Sequence, residues 1–363
     1  MKQLFHGAYA GTRVLVTGHT GFKGSWLCLW LHAMGADIHA LALPPAAEPC
    51  HWSLLGLADV RERHVDVRDA SALRAALADA RPEIVFHLAA QSLVRPGYLQ
   101  PSDTFATNVA GVVNLFEAVR ACASVRAVVN VTTDKVYREP PGESGYAEDD
   151  ALGGHDPYST SKACAELVTD CYRKSYFTGA GHPGPRLASA RAGNVIGGGD
   201  WAEDRLVPDM VRAAAAGTPL RLRHPDAVRP WQHVLDCLSG YLRLGQGLLA
   251  GAALEGAWNF GPEPASALPV REVVAHVQAV WPRLGVESAP GPHPREAGVL
   301  TLDCRKATAL LDWRPVWDAQ RAIQRTMDWY RAFDERGDVR SSTDLRAYVD
   351  AARDAGLAWA KLA

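Results

Sequence analysis

The sequence predicts an α/β fold, in which a doubly wound parallel sheet is followed by a smaller, mostly helical C-terminal region. Short apolar runs alternate with helical patterns over the first half of the chain, as expected for strands joined by helical crossovers. A glycine-rich turn connects the first apolar run to the first helical pattern, which is typical of doubly wound sheets. After Val195 the alternation ends, and prolines separate shorter elements.

The elements follow in a regular order. A strand over residues 14–16 precedes the glycine-rich turn, and a helix over residues 25–34 follows it. Further strands are predicted over residues 36–43, 63–67, 83–90, 127–133 and 187–195, and further helices over residues 70–81, 104–122 and 159–176. A helix over residues 234–246 and a strand at 258–260 should return to this sheet, and residues 268–363 should form most of the helical lobe. Ligands of such sheets sit at the carboxyl ends of the strands, so the residues that follow each strand are the functional candidates.

Composition argues against several classes of function. The formal net charge is −2 over 363 residues, which gives no reason to expect nucleic acid or an anionic membrane surface as a partner. No apolar run approaches the length of a membrane span, and the N-terminal residues lack the apolar core of a signal peptide. The seven cysteines have no metal-type spacing. We therefore expect a cytoplasmic protein with reduced cysteines and no bound metal.

The glycine-rich turn contains Gly18-x-x-Gly21-x-x-Gly24. Glycines at this spacing allow a tight turn, a close approach of the backbone to a ligand and close packing of the helix on the strand. A pyrophosphate could then bind the free N–H groups at the helix N-terminus. The spacing alone also fits an ordinary turn, and it is one residue longer than the common dinucleotide-binding pattern. Its place between a first strand and an amphipathic helix favours the dinucleotide site.

A second candidate feature is the pair Tyr158 and Lys162, four residues apart at the start of a helical pattern. This spacing puts both side chains on one face of a helix, one turn apart. A phenol is a poor base at neutral pH, but a nearby ammonium or a cationic ring favours the phenolate. Tyr158 could then accept the proton of a substrate hydroxyl. A surface tyrosine near a solvated lysine is the alternative explanation for the pair taken alone.

The glycine turn together with Tyr158-x-x-x-Lys162 resembles the extended short-chain dehydrogenase/reductase family, which includes nucleotide-sugar epimerases and dehydratases. The resemblance extends over nearly the whole chain, and it implies a Rossmann domain that binds NAD and a smaller domain that binds a nucleotide sugar. We expect the first domain to comprise residues 1–195 and about 227–261, and the second about 196–226 and 262–363. The resemblance also implies a homodimer or homotetramer, because the helices predicted at 104–122 and 159–176 pair dimers in the family.

One stretch distinguishes groups within this family. Nucleotide-sugar 4,6-dehydratases carry Thr-Asp-Glu where this sequence has Thr133-Asp134-Lys135, and the Asp-Lys variant resembles the CDP-glucose 4,6-dehydratases. Blocks at residues 19–27, 191–201 and 229–234 resemble the same group. The resemblance implies dehydration of CDP-glucose to CDP-4-dehydro-6-deoxy-D-glucose, a precursor of deoxysugars for O-antigen-type polysaccharides.

The resemblance also assigns roles to residues. Tyr158 would deprotonate the C4 hydroxyl, with Thr133 bonded to the same oxygen, while a hydride passes to NAD. Asp134 would protonate the departing C6 hydroxyl, and Lys135 would either remove the C5 proton or stabilise the enolate. The expected catalytic residues are Thr133, Asp134, Lys135, Tyr158 and Lys162.

The binding residues matched to family positions form two groups. For the cofactor they are Gly18, Thr20, Gly21, Phe22, Gly24, Asp66, Val67, Leu88, Ala89, Ala90, Asn108, Thr132, Tyr158, Lys162 and Arg191. For the nucleotide sugar they are Gln91, Asn194, Arg205, Arg229 and His293. The acidic residue that usually ends the second strand and holds the NAD ribose is missing. His39 or Lys23 could instead face a 2′-phosphate, but an enzyme that recycles its hydride has little reason to select NADP, so NAD is the expected cofactor.

Other functions stay open at this point. A 4,6-dehydratase for another nucleotide sugar would need the same residues, whereas a 4-epimerase would need Tyr158 and Lys162 but no acid–base pair at Asp134 and Lys135. A non-catalytic NAD-binding protein would need only the glycine turn, so the intact Thr133, Tyr158 and Lys162 weigh against it.

Overall fold

The computed structural model describes residues 1–139, 145–177, 184–222, 224–288 and 301–361. The strands within these ranges are β1 (Arg13–Thr17), β2 (Asp37–Ala42), β3 (Arg61–His64), β4 (Ile84–His87), β5 (Ala127–Val131), β6 (Arg186–Ala192), β7 (Val195–Ile196), β8 (Leu220–Leu222), β9 (Val228–Pro230), β10 (Gln232–His233), β11 (Gly256–Phe260), β12 (Ala267–Pro269) and β13 (Val286–Ser288). The α-helices are α1 (Phe22–Met34), α2 (His51–Leu55), α3 (Ala70–Ala80), α4 (Val94–Leu99), α5 (Pro101–Phe105), α6 (Gly111–Arg120), α7 (Pro157–Tyr172), α8 (Leu206–Ala216), α9 (Val234–Leu249), α10 (Val270–Val280), α11 (Arg305–Leu311), α12 (Ala319–Arg336) and α13 (Ser341–Asp354).

Seven of the described strands form one parallel sheet in the order β11-β6-β5-β4-β1-β2-β3. The chain runs outward from β1 to β3 and then returns to β4 on the other side of β1. The strand order therefore reverses between β1 and β4, which is where doubly wound sheets bind ligands. This topology confirms the doubly wound parallel sheet predicted from the sequence.

Several element boundaries differ from the prediction. Helix α1 begins at Phe22, three residues earlier than expected, because the extended backbone of Gly21 can turn directly into the helix. Helix α7 begins at Pro157, because the side chain of Asp156 caps it. Strand β3 ends at His64 rather than at residue 67, so the turn toward α3 starts three residues earlier than expected.

The helix predicted over residues 104–122 is not a uniform α-helix. Helix α5 passes through a π-helical turn at Ala106–Ala110 before α6 continues to Arg120. A π-turn holds one extra residue and changes the direction of the side chains after it, and such turns are frequent at functional sites. Here the turn carries Asn108, whose Nδ2 donates to Ser161 Oγ on α7 at 2.9 Å.

One apolar cluster joins the sheet to α1, α9 and the C-terminal segments. Another joins α8, α10 and α12 into the second lobe. Helices α11 and α13 belong to the first cluster, and Trp359 stacks on Phe5 with the ring centroids 4.9 Å apart. This part of the predicted second domain therefore packs on the sheet, and the rest of the domain division stays a prediction. No helix in the described part of the chain is long and apolar enough to span a bilayer.

Candidate active site

A large cleft opens at the carboxyl ends of the strands. Its volume is about 1590 Å³, above the roughly 300–1,000 Å³ of a pocket for one small ligand, so it can accept two. The second lobe contributes α8, β8 and β9 to its walls. The residues predicted from the sequence that line it are Gly18, Thr20, Gly21, Phe22, Gly24, Asp66, Val67, Leu88, Ala89, Ala90, Thr132, Thr133, Lys135, Tyr158, Lys162, Asn194, Arg205 and Arg229.

The glycine turn leaves a surface without side chains at the start of α1. Gly18 has a φ of +78°, and a Cβ there would lie 2.6 Å from the backbone nitrogen of Ala89. A Cβ on Gly24 would lie 2.1 Å from the carbonyl oxygen of Gly18. No side chain caps the N-terminus of α1, and its first residues line the cleft. Uncapped N–H groups next to bare backbone suit a pyrophosphate, so these residues fit a dinucleotide.

The turn after β3 provides a fixed carboxylate in the same cleft. Arg68 donates several hydrogen bonds to the carboxylate of Asp66, the shortest from Nη2 to Oδ2 at 2.7 Å. These hydrogen bonds lower the pKa of Asp66. The side chain of Val67 lies against Gly111, where an added Cβ would be 2.8 Å from Cγ2. Asp66 and Val67 are therefore held in place by neighbours, as a binding surface requires.

The end of β2 has no acidic side chain among the described residues that line the cleft. Ala42 and Leu43 line the cleft there, and Thr20 Oγ1 donates to the carbonyl oxygen of Leu43 at 3.1 Å. Glu48, the next acid in the chain, instead accepts from the backbone nitrogen of Cys50 at 2.8 Å. A ribose at this point would meet backbone and hydroxyl groups rather than a carboxylate.

Neither side chain considered for a 2′-phosphate faces the end of β2. His39 lies inside β2, and its Nε2 is 2.9 Å from Nη1 of Arg61. Lys23 extends from the glycine turn toward α9, where its Nζ donates to the hydroxyl of Tyr241 at 3.4 Å. The expectation that either residue could face a 2′-phosphate is wrong, because both are engaged elsewhere.

The polar residues after β5 form a compact group. Asp134 is 1% exposed, and its Oδ1 accepts from Thr133 Oγ1 and from Lys135 Nζ, each at 3.0 Å. Its Oδ2 has no hydrogen-bond partner among the described residues. Lys135 Nζ also lies 3.4 Å from Asn194 Oδ1. A Cβ on Gly193 would lie 3.0 Å from Oδ2 of Asp134, so glycine at this position leaves room for the carboxylate.

Helix α7 presents Tyr158 and Lys162 to the cleft, as their spacing predicts. The chain enters the helix through Asp156, whose Oδ1 accepts from the backbone nitrogens of Tyr158 and Ser159 at 2.9 and 3.0 Å. Ser159 Oγ donates to Asp156 Oδ2 at 2.7 Å. This reciprocal cap fixes the first turn and therefore the direction of the phenol.

Burial acts in opposite directions on these two groups. It raises the pKa of Tyr158, although the charge of Lys135 and a hydrogen bond with Thr133 act against it. It lowers the pKa of Lys162 to about 8, and the charge of Lys23 adds to this effect. Lys162 is thus a cation that can lose its proton near neutral pH, and the phenol needs further positive charge to ionise.

The second lobe brings the predicted sugar-nucleotide residues to the other side of the cleft. Asn194, Arg205 and Arg229 line it, and Arg205 Nη1 donates to Asp200 Oδ2 at 3.0 Å. His293, which the resemblance placed at the substrate edge, lies outside the described residues.

Three predicted binding residues do not line the cleft. Gln91 is used internally, since its Nε2 donates to Thr104 Oγ1 at 2.9 Å. Asn108 bonds to the backbone of Gln91, and thereby holds the segment after β4 against α7. Arg191 is 3% exposed and pairs with Glu166 at 2.8 Å. These residues position their neighbours through their polar atoms, and their direct contact with a ligand stays a prediction.

Other cleft residues were missed by sequence reasoning. Tyr137 accepts from Arg191 Nη1 at 2.7 Å and lines the cleft. Arg95 lines it from α4 and pairs with Asp204 across the cleft at 3.2 Å. Tyr137 lies two residues after the Thr-Asp-Lys stretch, and this position could have identified it, whereas nothing in the local pattern distinguishes Arg95.

Comparison with known proteins agrees with this geometry. Residues 14–259 match the family described as the NAD dependent epimerase/dehydratase family. The chain is 45% identical over 350 residues to a CDP-glucose 4,6-dehydratase of Salmonella typhimurium, and the match covers 94% of this chain and 98% of that relative. It is 30% identical over 326 residues to a UDP-glucose 4-epimerase of Mycolicibacterium smegmatis, with 88% and 98% covered.

A solved structure extends the comparison. The UDP-glucose 4-epimerase of Thermus thermophilus in complex with NAD matches with a TM-score of 0.75 at 29% identity. The match covers 88% of this chain and 98% of that chain.

Proposed function

The chain belongs to the NAD-dependent epimerase/dehydratase family, and we propose that it dehydrates CDP-glucose to CDP-4-dehydro-6-deoxy-D-glucose with NAD as its cofactor. The observation that carries this proposal is the 3.0 Å contact between Asp134 and Lys135, next to the cleft that also presents Tyr158. A 4-epimerase needs a base at C4 but no proton donor at C6, so a paired acid and amine favour a dehydratase. The 45% identical relative supports CDP-glucose as the substrate.

The residues that would hold NAD are the glycine turn, the uncapped start of α1, and the turn at Asp66 and Val67. When bound, NAD supplies the hydride acceptor for C4 and the hydride donor for C6, and its oxidised ring brings a positive charge that favours a phenolate. No external oxidant is consumed, because the hydride removed from C4 is returned to C6. The protein's own side chains are left to move the protons.

The first proton transfer belongs to Tyr158. Its phenol is buried at the cleft, one helical turn from Lys162, and it takes the proton of the C4 hydroxyl. The ammonium of Lys162 stabilises the phenolate that accepts this proton. Thr133, whose hydroxyl donates to Asp134 at 3.0 Å and which lines the cleft together with Tyr158, holds the same C4 oxygen.

The elimination belongs to Asp134 and Lys135. A ketone at C4 acidifies the proton on C5, so loss of water needs a base at C5 and an acid at the C6 oxygen. Asp134 is buried beside the cleft without lining it, and its Oδ2, which has no partner among the described residues, would protonate the departing hydroxyl. Lys135, in contact with Oδ1, takes the C5 proton or stabilises the enolate by its charge.

Incubation with CDP-glucose and NAD tests the proposal, with UDP-glucose and dTDP-glucose assayed in parallel. We expect CDP-glucose to lose one water by mass, and the other two sugars to react far more slowly. An unchanged mass with inversion at C4 would identify an epimerase instead. Faster loss of water from UDP-glucose or dTDP-glucose would support the proposed dehydration but show that CDP-glucose is not the preferred substrate.

We further propose that the protein is a cytoplasmic homodimer or homotetramer that supplies deoxysugars for polysaccharides. The seven cysteines are unpaired, which fits a reducing compartment. Helices α4, α5 and α7 contact one another and expose Leu99, Phe105 and Leu167, apolar side chains that a second copy would cover. Light scattering tests the assembly, and a mass of one chain at micromolar concentration would contradict it.

A further inference from the structure

The loop after β7 is fixed at several points by aromatic and imidazole side chains. A Cβ on Gly198 would lie 2.0 Å from the ring of Trp329, and the carbonyl oxygen of Gly198 accepts from Trp26 Nε1 at 2.9 Å. Gly199 has a φ of +83°, and a Cβ there would lie 2.5 Å from the ring of His51. Only glycines allow the chain to pass between these rings, so the loop has one available path.

Asp200 follows the glycines and is held at both its backbone and its side chain. Its carbonyl oxygen accepts from the hydroxyl of Tyr330 at 2.6 Å. Its carboxylate is buried, and Oδ1 accepts from the backbone nitrogen of Ala202 at 3.1 Å. The remaining oxygen, Oδ2, accepts from Arg205 Nη1 at 3.0 Å. Asp200 is therefore an immobile anion that determines where one end of the Arg205 guanidinium lies.

The guanidinium of Arg205 is placed to contact an anionic ligand in the cleft. The side chain is 34% exposed and lines the cleft, and among the described residues only Nη1 has a hydrogen-bond partner. It also precedes α8, whose N-terminus has no side-chain cap and whose first residues line the cleft. The guanidinium and the positive end of α8 therefore act on the same region, an arrangement that suits a phosphate.

We propose that Asp200 is a positioning residue that orients Arg205 to bind the diphosphate of the nucleotide sugar. The inference rests on the proposed function, because it assigns the diphosphate to this side of the cleft. One hydrogen bond to Asp200 removes much of the rotamer freedom of a long side chain and leaves the remaining N–H donors for phosphate oxygens. The anchored loop makes this orientation independent of the ligand.

Binding of CDP, measured by calorimetry, tests the inference apart from turnover. The variants are Asp200→Asn, Arg205→Gln and the double variant, and the control is Asp226→Asn, whose partner Arg271 is outside the cleft in the same lobe. We expect each single variant to weaken CDP binding about tenfold, as for loss of one charge-assisted hydrogen bond. The double variant should be no more than about threefold weaker than Arg205→Gln alone, because Asp200 acts only through Arg205.

Kinetics with CDP-glucose give a second readout. We expect KM to rise about tenfold in Asp200→Asn while kcat stays within about threefold, since the altered contact is one of binding. The inference would be overturned if Asp200→Asn bound CDP as tightly as the parent does. It would also be overturned if the double variant lost affinity by the product of the two single losses. Both conclusions hold even if the parent dehydrates CDP-glucose. The variants could lose CDP binding in this coupled way while the parent fails to dehydrate CDP-glucose. That result would retain the inference and overturn the proposed function.

Discussion

Replacing Asp134 with asparagine separates oxidation of the sugar from loss of water. The carboxylate is 1% exposed, with Oδ1 bonded to Thr133 and Lys135 and Oδ2 without a partner among the described residues. Asparagine has nearly the same shape, so it fits the space that Gly193 leaves for the side chain. It cannot give a proton to the C6 oxygen. Oxidation at C4, which uses Tyr158, should therefore continue while elimination stops.

The size of the effect follows from the same contacts. A general acid typically contributes roughly a hundred- to ten-thousand-fold, so the rate of water loss should fall by that factor. Stability should change much less, because Lys135 keeps 26% of its side chain exposed and water can solvate its charge after the pair is lost. The lysine end of this pair is open to water and the carboxylate end is buried, so the loss should lie between about 1 kcal/mol for an exposed ion pair and about 3–5 kcal/mol for a buried one. We expect the melting temperature to fall by about 2–10 °C while the protein stays folded.

The assay is the absorbance of reduced nicotinamide after CDP-glucose is added to the NAD-loaded protein. In Asp134→Asn the absorbance should rise and persist, and mass spectrometry should detect a 4-keto sugar that has kept its C6 oxygen. Asp150→Asn, an exposed carboxylate that does not line the cleft, is the matched control and should behave as the parent. Water loss at the parental rate in Asp134→Asn would refute the role of Asp134 as the acid.

Three further predictions follow from the cleft. Tyr158→Phe should lose roughly a hundred- to ten-thousand-fold in turnover with a near-parental melting curve, and turnover within twofold of the parent would exclude the phenol as base. Burial lowers the pKa of Lys162 from 10.5 to about 8, so between these pH values the unfolded chain binds more protons than the folded protein. The free energy of unfolding should therefore rise with pH over this range. Urea unfolding of Lys162→Met should show a smaller rise, and an equal slope would contradict the burial argument. Gly18→Val should abolish NAD binding in calorimetry, because a Cβ at Gly18 would lie 2.6 Å from the Ala89 backbone, and parental affinity in a folded variant would disprove the placement.

The parts of the site that are local in the chain could be predicted from the sequence. The glycine turn works through its own backbone and the first turn of α1, so its spacing and its place between a strand and a helix were enough to predict the bare backbone surface that lines the cleft. Tyr158 and Lys162 share a helix face whatever the rest of the chain does. Asp134 and Lys135 are neighbours, and their resemblance to one group of dehydratases suggested a function that the close relative supports.

The rest depends on contacts between distant segments, which no local pattern reports. Arg191 was expected to bind the cofactor, but it forms a buried ion pair with Glu166 on α7. Asn108 sits on a π-turn that an α-helical pattern cannot reveal. Trp359 packs on Phe5, near the opposite end of the sequence, which brings C-terminal residues to the core of the sheet. Contacts of this kind join segments that are far apart in the sequence, so neither periodicity nor motif spacing reports them.

The contact between Asp134 and Lys135 also explains how lysine can stand where related dehydratases carry glutamate. A lysine places a positive charge 3.0 Å from the Asp134 carboxylate, where a glutamate would place a second negative charge. Under the proposed mechanism that positive charge acts on the enolate that forms when C5 loses its proton. An Asp–Glu pair would add negative charge beside the cleft, whereas the ion pair of Asp134 and Lys135 carries no net charge and therefore repels the diphosphates of both ligands less.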